Sequence, residues 1–296
     1  MNDFFPKLGR PHLAKRVLKR IHSYFFLTQW ILLIAKDIPD RHPYWDNFTR
    51  ILPPLDRVWA DPFVWIHQDS LYVFFEEQPF DTRRGRISCL KFDHNLNIIS
   101  NEVVLERPYH LSYPFLFEHE DVLYMIPETG ENRSIEIYRC SQFPNRWEKV
   151  KDLMTGVHAV DSTLLEANGK WWLFVNIAEE GGSTWDTLHL FYADHPLSEH
   201  WTPHPRNPII KDVQTARPAG NIFFDGKSFI RPSQDCSVRY GYATNFNRIT
   251  QLSETEYAEI REWKFRPTAK GIIATHTWNQ AGKVCMIDAQ FLRPKF

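Results

Sequence analysis

The chain has 296 residues, 43% of them hydrophobic and 15% aromatic, which suffices for one large all-β domain and leaves no room for a second full one. With 35 Lys and Arg against 36 Asp and Glu the formal net charge is −1, so no global field draws the protein to nucleic acid, and that class of partner is excluded. Cys89, Cys140, Cys236 and Cys285 show no paired spacing and lie in or beside apolar runs, which reads as buried thiols in a reducing compartment.

Residues 1–28 stand apart as a basic, helical extension. Lys7, Arg10, Lys15, Arg16, Lys19 and Arg20 face the single acid Asp3 before His22. The apolar run Phe25–Ala35 is broken by Gln29 and falls short of the ~20 residues that span a bilayer; no small-residue cleavage site follows it. Two readings stay open for this segment. One is a short helix packed on the main domain, followed by a strand over Trp30–Lys36. The other is a basic helix lying on an anionic membrane surface, a peripheral contact at the inner membrane face of a cytoplasmic protein.

The remainder, residues 29–296, reads as a single domain built from a repeat. Ala60-Asp61-Pro62-Phe63-Val64, Ser112-Tyr113-Pro114-Phe115-Leu116, Val160-Asp161-Ser162-Thr163-Leu164 and Ala216-Arg217-Pro218-Ala219-Gly220 are each followed by a turn and an apolar strand. Asp61 precedes Leu71, Tyr113 precedes Leu123 and Asp161 precedes Trp171 by ten residues each. The turns fall at Gln68-Asp69-Ser70, Glu120-Asp121, Asn168-Gly169 and Asp225-Gly226, and Asn-Gly and Asp-Gly are preferred hairpin turns. A fifth, degenerate copy runs from Gly271 to Asp288, with His276-Thr277-Trp278 leading through Gln280-Ala281-Gly282 into Val284-Cys285-Met286-Ile287. Spacings of 52, 48 and 56 residues between the first four starts match propeller blades rather than helical solenoids, because the segments alternate with period two or form short β-branched and aromatic runs. The expected fold is a five-bladed β-propeller, with Arg86–Phe92, Ile99–Leu105, Ser134–Arg139 and Thr187–Tyr192 as outer strands. Trp30–Lys36 then completes the last blade and closes the ring.

In such a ring the starts of the first strands and the ends of the second meet at one mouth of the central channel. The starts bring Asp61, Ser112 with Tyr113, Asp161, Arg217 and His276; the returning ends bring Glu76 and Glu77, Glu128, Asn176, and Arg231 with Gln234 and Asp235. Burying a carboxylate costs several kcal/mol unless it is paired, so charged residues at equivalent positions of apolar hairpins call for an explanation. Either the set is a substrate site, or it is a ring of structural salt bridges in which Arg217 and Arg231 neutralise Asp161 and Glu128. Paired carboxylates suit glycosidic chemistry, one protonating the leaving oxygen while another activates water or attacks. Asp61, Asp161 and Glu128 are the catalytic candidates and the others line the substrate. The chain has no Gly-x-Gly-x-x-Gly, Walker loop, His-Glu-x-x-His or Cys-x-x-Cys, so neither a cofactor nor a metal is expected. His195, His200 and His204 fall in a Pro-rich stretch read as an extended surface loop.

On Trp59-Ala60-Asp61-Pro62-Phe63-Val64 and Val160-Asp161-Ser162-Thr163-Leu164 the chain resembles the five-bladed propellers of the arabinanase, levansucrase and invertase superfamily. The resemblance implies Asp61 as general base and Asp161 as the carboxylate that tunes the acid. The acid of those relatives is a Glu opening the fourth blade, and here Arg217 holds that place. Longer strings, Tyr72-Val73-Phe74-Phe75-Glu76-Glu77, His110-Leu111-Ser112-Tyr113-Pro114-Phe115, Ile126-Pro127-Glu128-Thr129, Ala216-Arg217-Pro218-Ala219-Gly220 and Arg231-Pro232-Ser233-Gln234-Asp235-Cys236, look like the N-terminal domain of plant glucosamine inositolphosphorylceramide transferase and its bacterial relatives, over about residues 25–290. That resemblance implies work in glycolipid or surface polysaccharide biosynthesis.

Three functions follow. The first is a glycosyltransferase or transglycosylase, with Arg217 or Arg231 binding the phosphate of an activated sugar donor. The second is a non-catalytic glycan-binding module that assists a partner transferase. The third is a furanoside-type glycoside hydrolase in which Glu128 or Glu76 serves as the acid.

Overall fold

A computed structural model describes residues 25–37, 44–178 and 181–295. Five antiparallel sheets form the blades of a propeller. Blade one holds Arg57–His67, Ser70–Pro79, Arg86–Phe92 and Ile98–Leu105, and blade two holds Ser112–His119, Val122–Glu128, Ser134–Gln142 and Arg146–Thr155. Blade three is built on His158–Ala167, Lys170–Ala178 and Thr187–Ala193, with short outer pieces at Thr202–Pro203 and Ile210–Lys211. Phe223–Phe224, Phe229–Asp235, Ala243–Leu252 and Tyr257–Phe265 make blade four.

The hairpins form where the turn residues predict them. Gln68 and Asp69, Glu120 and Asp121, and Asn168 and Gly169 all adopt positive φ, between 47° and 71°, the geometry of a two-residue turn whose twist matches its strands. Within each strand, period-two alternation sends successive side chains to opposite neighbours. Tyr72 and Phe74 pack with Tyr113 and Phe115 of blade two, while Leu71, Val73 and Phe75 pack with Leu32, Ile34 and Met286 of blade five. Both faces of a blade are thus buried, which is why these strands read as nearly unbroken apolar runs.

Blade five closes the ring with both ends of the chain. Trp278–Ala281 pairs with Val284–Pro294, which pairs in turn with Phe26–Lys36, and Thr49–Ile51 is outermost. The seam between the termini runs in register from Phe26↔Pro294 to Lys36↔Val284. The closing strand therefore starts at Phe26, inside the segment expected to be helical up to residue 28; residues 1–24 of that extension, with its basic cluster, lie outside the described residues. Gln29, the break in the apolar run, is buried and ties this seam to blade one: its Nε2 donates to Pro54 O at 2.7 Å and Arg57 O at 2.5 Å, while its Oε1 accepts from Arg293 at 3.0 Å.

Among the described residues no helix is long and apolar enough to cross a membrane. All four thiols are free; Cys140 is only half-buried, unlike the other three. His204, expected on a surface loop, is buried and hydrogen-bonds Ser253 O at 3.1 Å, because the loop folds back over blade three.

Candidate functional site

The repeated phrase is a repeated backbone device. In blades one to three the inner strand breaks register at the same step: Ala60↔Glu76 gives way to Phe63↔Phe74, Ser112↔Glu128 to Phe115↔Ile126, and Val160↔Asn176 to Thr163↔Phe174. The first residue of each bulge lies in the left-handed region, with φ of 51° at Asp61, 43° at Tyr113 and 53° at Asp161. Non-glycine residues held there carry strain, and bulges of this kind re-aim a side chain. In blade four it is Gly220, with φ of 120°, that takes the unusual conformation, and Arg217 does not.

Opposite the bulges the returning strands supply one polar residue per blade. Glu76, Glu128 and Asn176 pair with Ala60, Ser112 and Val160. Gln234 donates its backbone N–H to Arg217 O at 2.8 Å, and Asp288 donates its own to Thr277 O at 3.4 Å. Two sets of five converge, one from strand starts and one from strand returns.

Their side chains form a charged cluster. Arg217 Nε lies 2.6 Å from Asp161 Oδ2, and its terminal nitrogens reach Asp161 Oδ1 at 3.3 Å, Glu128 Oε2 at 3.5 Å, and Thr184 O and Oγ1 at 3.4 and 3.3 Å. Gln234 Nε2 adds a 3.0 Å bond to Asp161, so three donors converge on the Asp161 carboxyl and fix its position. His276 Nδ1 lies 2.6 Å from Asp288 Oδ2 and 3.7 Å from Asp61 Oδ1, with its ring stacked on Trp30 at 4.1 Å. Asp288 also accepts the backbone N–H groups of Asp61, His276 and Thr277 at 3.0, 2.9 and 3.0 Å, and the Thr277 hydroxyl donates to Asp61. His110 Nδ1 accepts Gly85 N–H at 2.9 Å, which leaves Nε2 to donate to Glu76 Oε1 at 3.3 Å.

Five carboxyl groups in one channel cannot all ionise beside one guanidinium and one imidazole. Burial pushes Asp61 up to about 6, Asp288 and Asp161 push the same way, and His276 opposes them. Burial first, and the neighbouring carboxylates second, hold Glu76 and Glu128 well above the ordinary glutamate range. Burial works against a charged imidazole at His276, yet Asp288 and Asp61 outweigh it and raise its pKa. The channel thus favours a proton on Glu128, beside the Asp161–Arg217 pair, and raises Asp61 only to about 6, a separation that suits acid and base roles.

Not every residue expected at the channel reaches it. Glu77 turns away from Glu76 and binds Arg86 Nη2 at 2.6 Å, Arg57 Nη1 at 3.2 Å and Trp59 Nε1 at 3.0 Å. Arg231 pairs with Glu259 at 2.6 Å, and Asp235 with Lys264 at 2.5 Å. All three sit next to, or three positions from, an inward residue on a strand, and alternation sends them to the blade's other face. Tyr113 is fully buried, its hydroxyl 2.8 Å from Thr163 Oγ1 and 2.7 Å from Gly220 N, so it pins blades rather than meeting a ligand. Asn176 is buried with both amide atoms unpartnered by protein, a group that a ligand or water has to satisfy.

Other residues join the site unannounced. Asp288 ends the returning strand of the degenerate blade as Glu76 ends that of blade one, and the parallel between Val73-Phe74-Phe75-Glu76 and Cys285-Met286-Ile287-Asp288 is its signal. Tyr240 lies under the Arg217 guanidinium at 5.0 Å, edge-on to His276 at 5.3 Å and 5.8 Å from Trp185. Trp185 keeps 36% of its surface exposed and offers a face for a sugar ring. Asp61, His276 and Asp288 also present ligand atoms within 4.8 Å of one another, although each already serves the hydrogen bonds above.

The family model described as "Glucosamine inositolphosphorylceramide transferase 1, N-terminal" matches residues 54–295. Glucosamine inositolphosphorylceramide transferase 1 of Oryza sativa subsp. japonica is 34% identical over 205 residues, covering 68% of this chain and 27% of that protein. The protein of the same name from Arabidopsis thaliana is 32% identical over 225 residues, covering 74% and 29%. The chain thus spans little more than a quarter of the length of the curated relatives it matches. Among solved structures, Zg3597, a family 117 glycoside hydrolase from Zobellia galactanivorans, superposes with a TM-score of 0.56 at 10% identity, covering 89% of this chain and 91% of that one; at that identity the likeness is one of fold.

Proposed function

Because this chain belongs to the family of the N-terminal domain of glucosamine inositolphosphorylceramide transferase 1, we propose that its channel binds a sugar and transfers it in glycolipid or surface polysaccharide assembly. The observation that carries this reading is the Glu128 carboxyl, 3.5 Å from Arg217 beside the buried Asp161–Arg217 pair, where burial and the neighbouring carboxylates favour its protonated form. Glu128 gives its proton to the leaving oxygen as the bond to the anomeric carbon breaks. The acceptor hydroxyl attacks that carbon and passes its proton to Asp61, which has to be ionised to receive it.

The electrostatics also constrain the sugar. The channel sets five carboxyl groups against one guanidinium and one imidazole, an excess of acceptor oxygens that suits a ring bearing hydrogen-bond donors, and the relatives' printed name includes glucosamine, whose ammonium would be such a donor. The donors of Arg217 are spent on Asp161, Thr184 and Glu128, and Arg231 is committed to Glu259. Neither supports the expectation of an arginine waiting for a donor phosphate.

A second reading, a non-catalytic glycan-binding module, draws on Asp61 itself, which is 5% exposed and already engaged by Thr277. Calorimetry with glucosamine, N-acetylglucosamine and sugar nucleotides, with product analysis by mass spectrometry, tests both. Preference for the cationic sugar, with turnover lost in Glu128→Gln, supports transfer. Sugar binding without turnover under any donor leaves the binding module, and failure to bind any sugar sinks both.

A further inference from the structure

Outside the channel, between the last strand of blade four and the outermost strand of blade five, lies a groove of ≈ 990 Å³. Its charge is opposite to the channel's: four cations, Arg50, Lys264, Arg266 and Lys270, face a single carboxylate, Asp46. Lys264 is neutralised by Asp235 at 2.5 Å. Arg50, Arg266 and Lys270 are exposed, and among the described residues none of them pairs with a carboxylate. Some surface arginines are neutralised, as Arg139 is by Glu148 at 3.0 Å and Arg248 by Glu262; what sets the groove apart is that three unneutralised cations gather in one concave surface.

The walls are rigid and amphipathic. Trp45 stacks on Phe265 with centroids 4.5 Å apart and donates its indole N–H to Arg266 O at 2.7 Å. Arg50 lies over Phe291 at 4.5 Å and donates to Lys270 O at 3.0 Å, which holds its charge in place without cancelling it. Tyr44, 71% exposed, stands at the rim. Trp and Tyr beside unneutralised Lys and Arg make the composition of a surface that meets lipid head groups, with the rings at head-group depth and the cations on phosphate.

We propose that this groove seats the phosphorylated head group of an anionic membrane lipid, with Arg50, Arg266 and Lys270 on the phosphate and Tyr44 and Trp45 entering the head-group layer. The channel binds its sugar independently of this contact. Sedimentation of the full chain with phosphatidylcholine vesicles, with and without phosphatidylinositol, measures it.

The expected result is binding that requires phosphatidylinositol and weakens about fivefold for each of Arg266→Gln and Lys270→Gln, as the loss of one surface charge predicts. Tyr44→Ser should weaken it further with no change in melting temperature. Sugar binding in the channel should be the same in these variants as in the parent protein. Vesicle binding unchanged in the double variant overturns the proposal and leaves the basic N-terminal stretch to account for any attraction. Binding of soluble glycerophosphoinositol with no binding to vesicles also overturns it, since the groove would then be a soluble phosphate site.

Discussion

Arg217 and Asp161 join blades three and four through a buried ion pair, with Nε 2.6 Å from Oδ2 and both side chains less than a tenth exposed. Removing one partner strands the other charge in a low-dielectric channel, at a cost of about 3–5 kcal/mol. Arg217→Met should therefore lose stability on that scale in urea unfolding at pH 7. Pairing it with Asp161→Asn should recover most of the loss, because no orphan charge remains. A single-variant loss below about 1 kcal/mol, the range of exposed pairs, would show that the pair is hydrated and does not tie blades three and four together.

Glu76 carries the opposite liability. Burial and its carboxylate neighbours hold its folded pKa well above the unfolded value, so between those two values the folded state binds more protons than the unfolded state. Its contribution to stability is present at pH below about 4.3 and is lost as pH rises toward the folded pKa. Glu76→Gln removes this titration and keeps an oxygen for His110. Relative to the parent, the variant should gain in melting temperature at pH 8 and gain little at pH 4. A gain that is the same at both pH values would mean that Glu76 does not titrate in the channel.

Asp61 sets the pH at which transfer begins. Its carboxyl is pushed up to about 6, and it has to be ionised to take the acceptor's proton, so turnover should rise through pH 6 and not through the ordinary aspartate range near 4. Asp61→Asn should abolish the step at all pH values. His276→Gln removes the cation that opposes the rise, so it should move the limb to higher pH. A limb that stays in place would remove His276 from the electrostatics of the base.

Much of this was legible because a propeller repeats its chemistry along the chain. Asp61, Tyr113 and Asp161 announce one backbone slot by their ten-residue distance to the next strand, and the turns at Gln68, Glu120 and Asn168 mark its register. What stayed hidden follows from period two and from long-range pairing. Glu77 and Asp235 look as eligible as Glu76 and Gln234, yet one step along a strand turns a side chain to the other face, and their partners Arg86 and Lys264 lie 9 and 29 residues away. Asp288 was obscured because blade five lacks the Asp-Pro phrase and borrows its outer strands from the N-terminus. Tyr240 comes from a turn, where no periodicity points.

Gly220 and Tyr113 explain why blade four departs from the phrase. A Cβ at Gly220 would fall 2.0 Å from Trp278 O, and the residue holds a φ of 120° that L side chains rarely adopt. The backbone N–H of Gly220 donates to the Tyr113 hydroxyl at 2.7 Å across the ring. Tyr113→Phe leaves that buried N–H without its partner, a cost of about 1–3 kcal/mol. Gly220→Ala keeps the donor but forces the backbone away from blade five, so it should cost more than Tyr113→Phe. For a domain of this size, melting temperature should drop by roughly 2 °C or less per kcal/mol in both variants. Arg217, three residues upstream, should lose its hold on Asp161 in Gly220→Ala alone, and a sugar-binding loss larger in that variant than in Tyr113→Phe is the expected signature. Equal stability of Gly220→Ala and the parent would mean that this approach of blades four and five is looser than 2.0 Å implies.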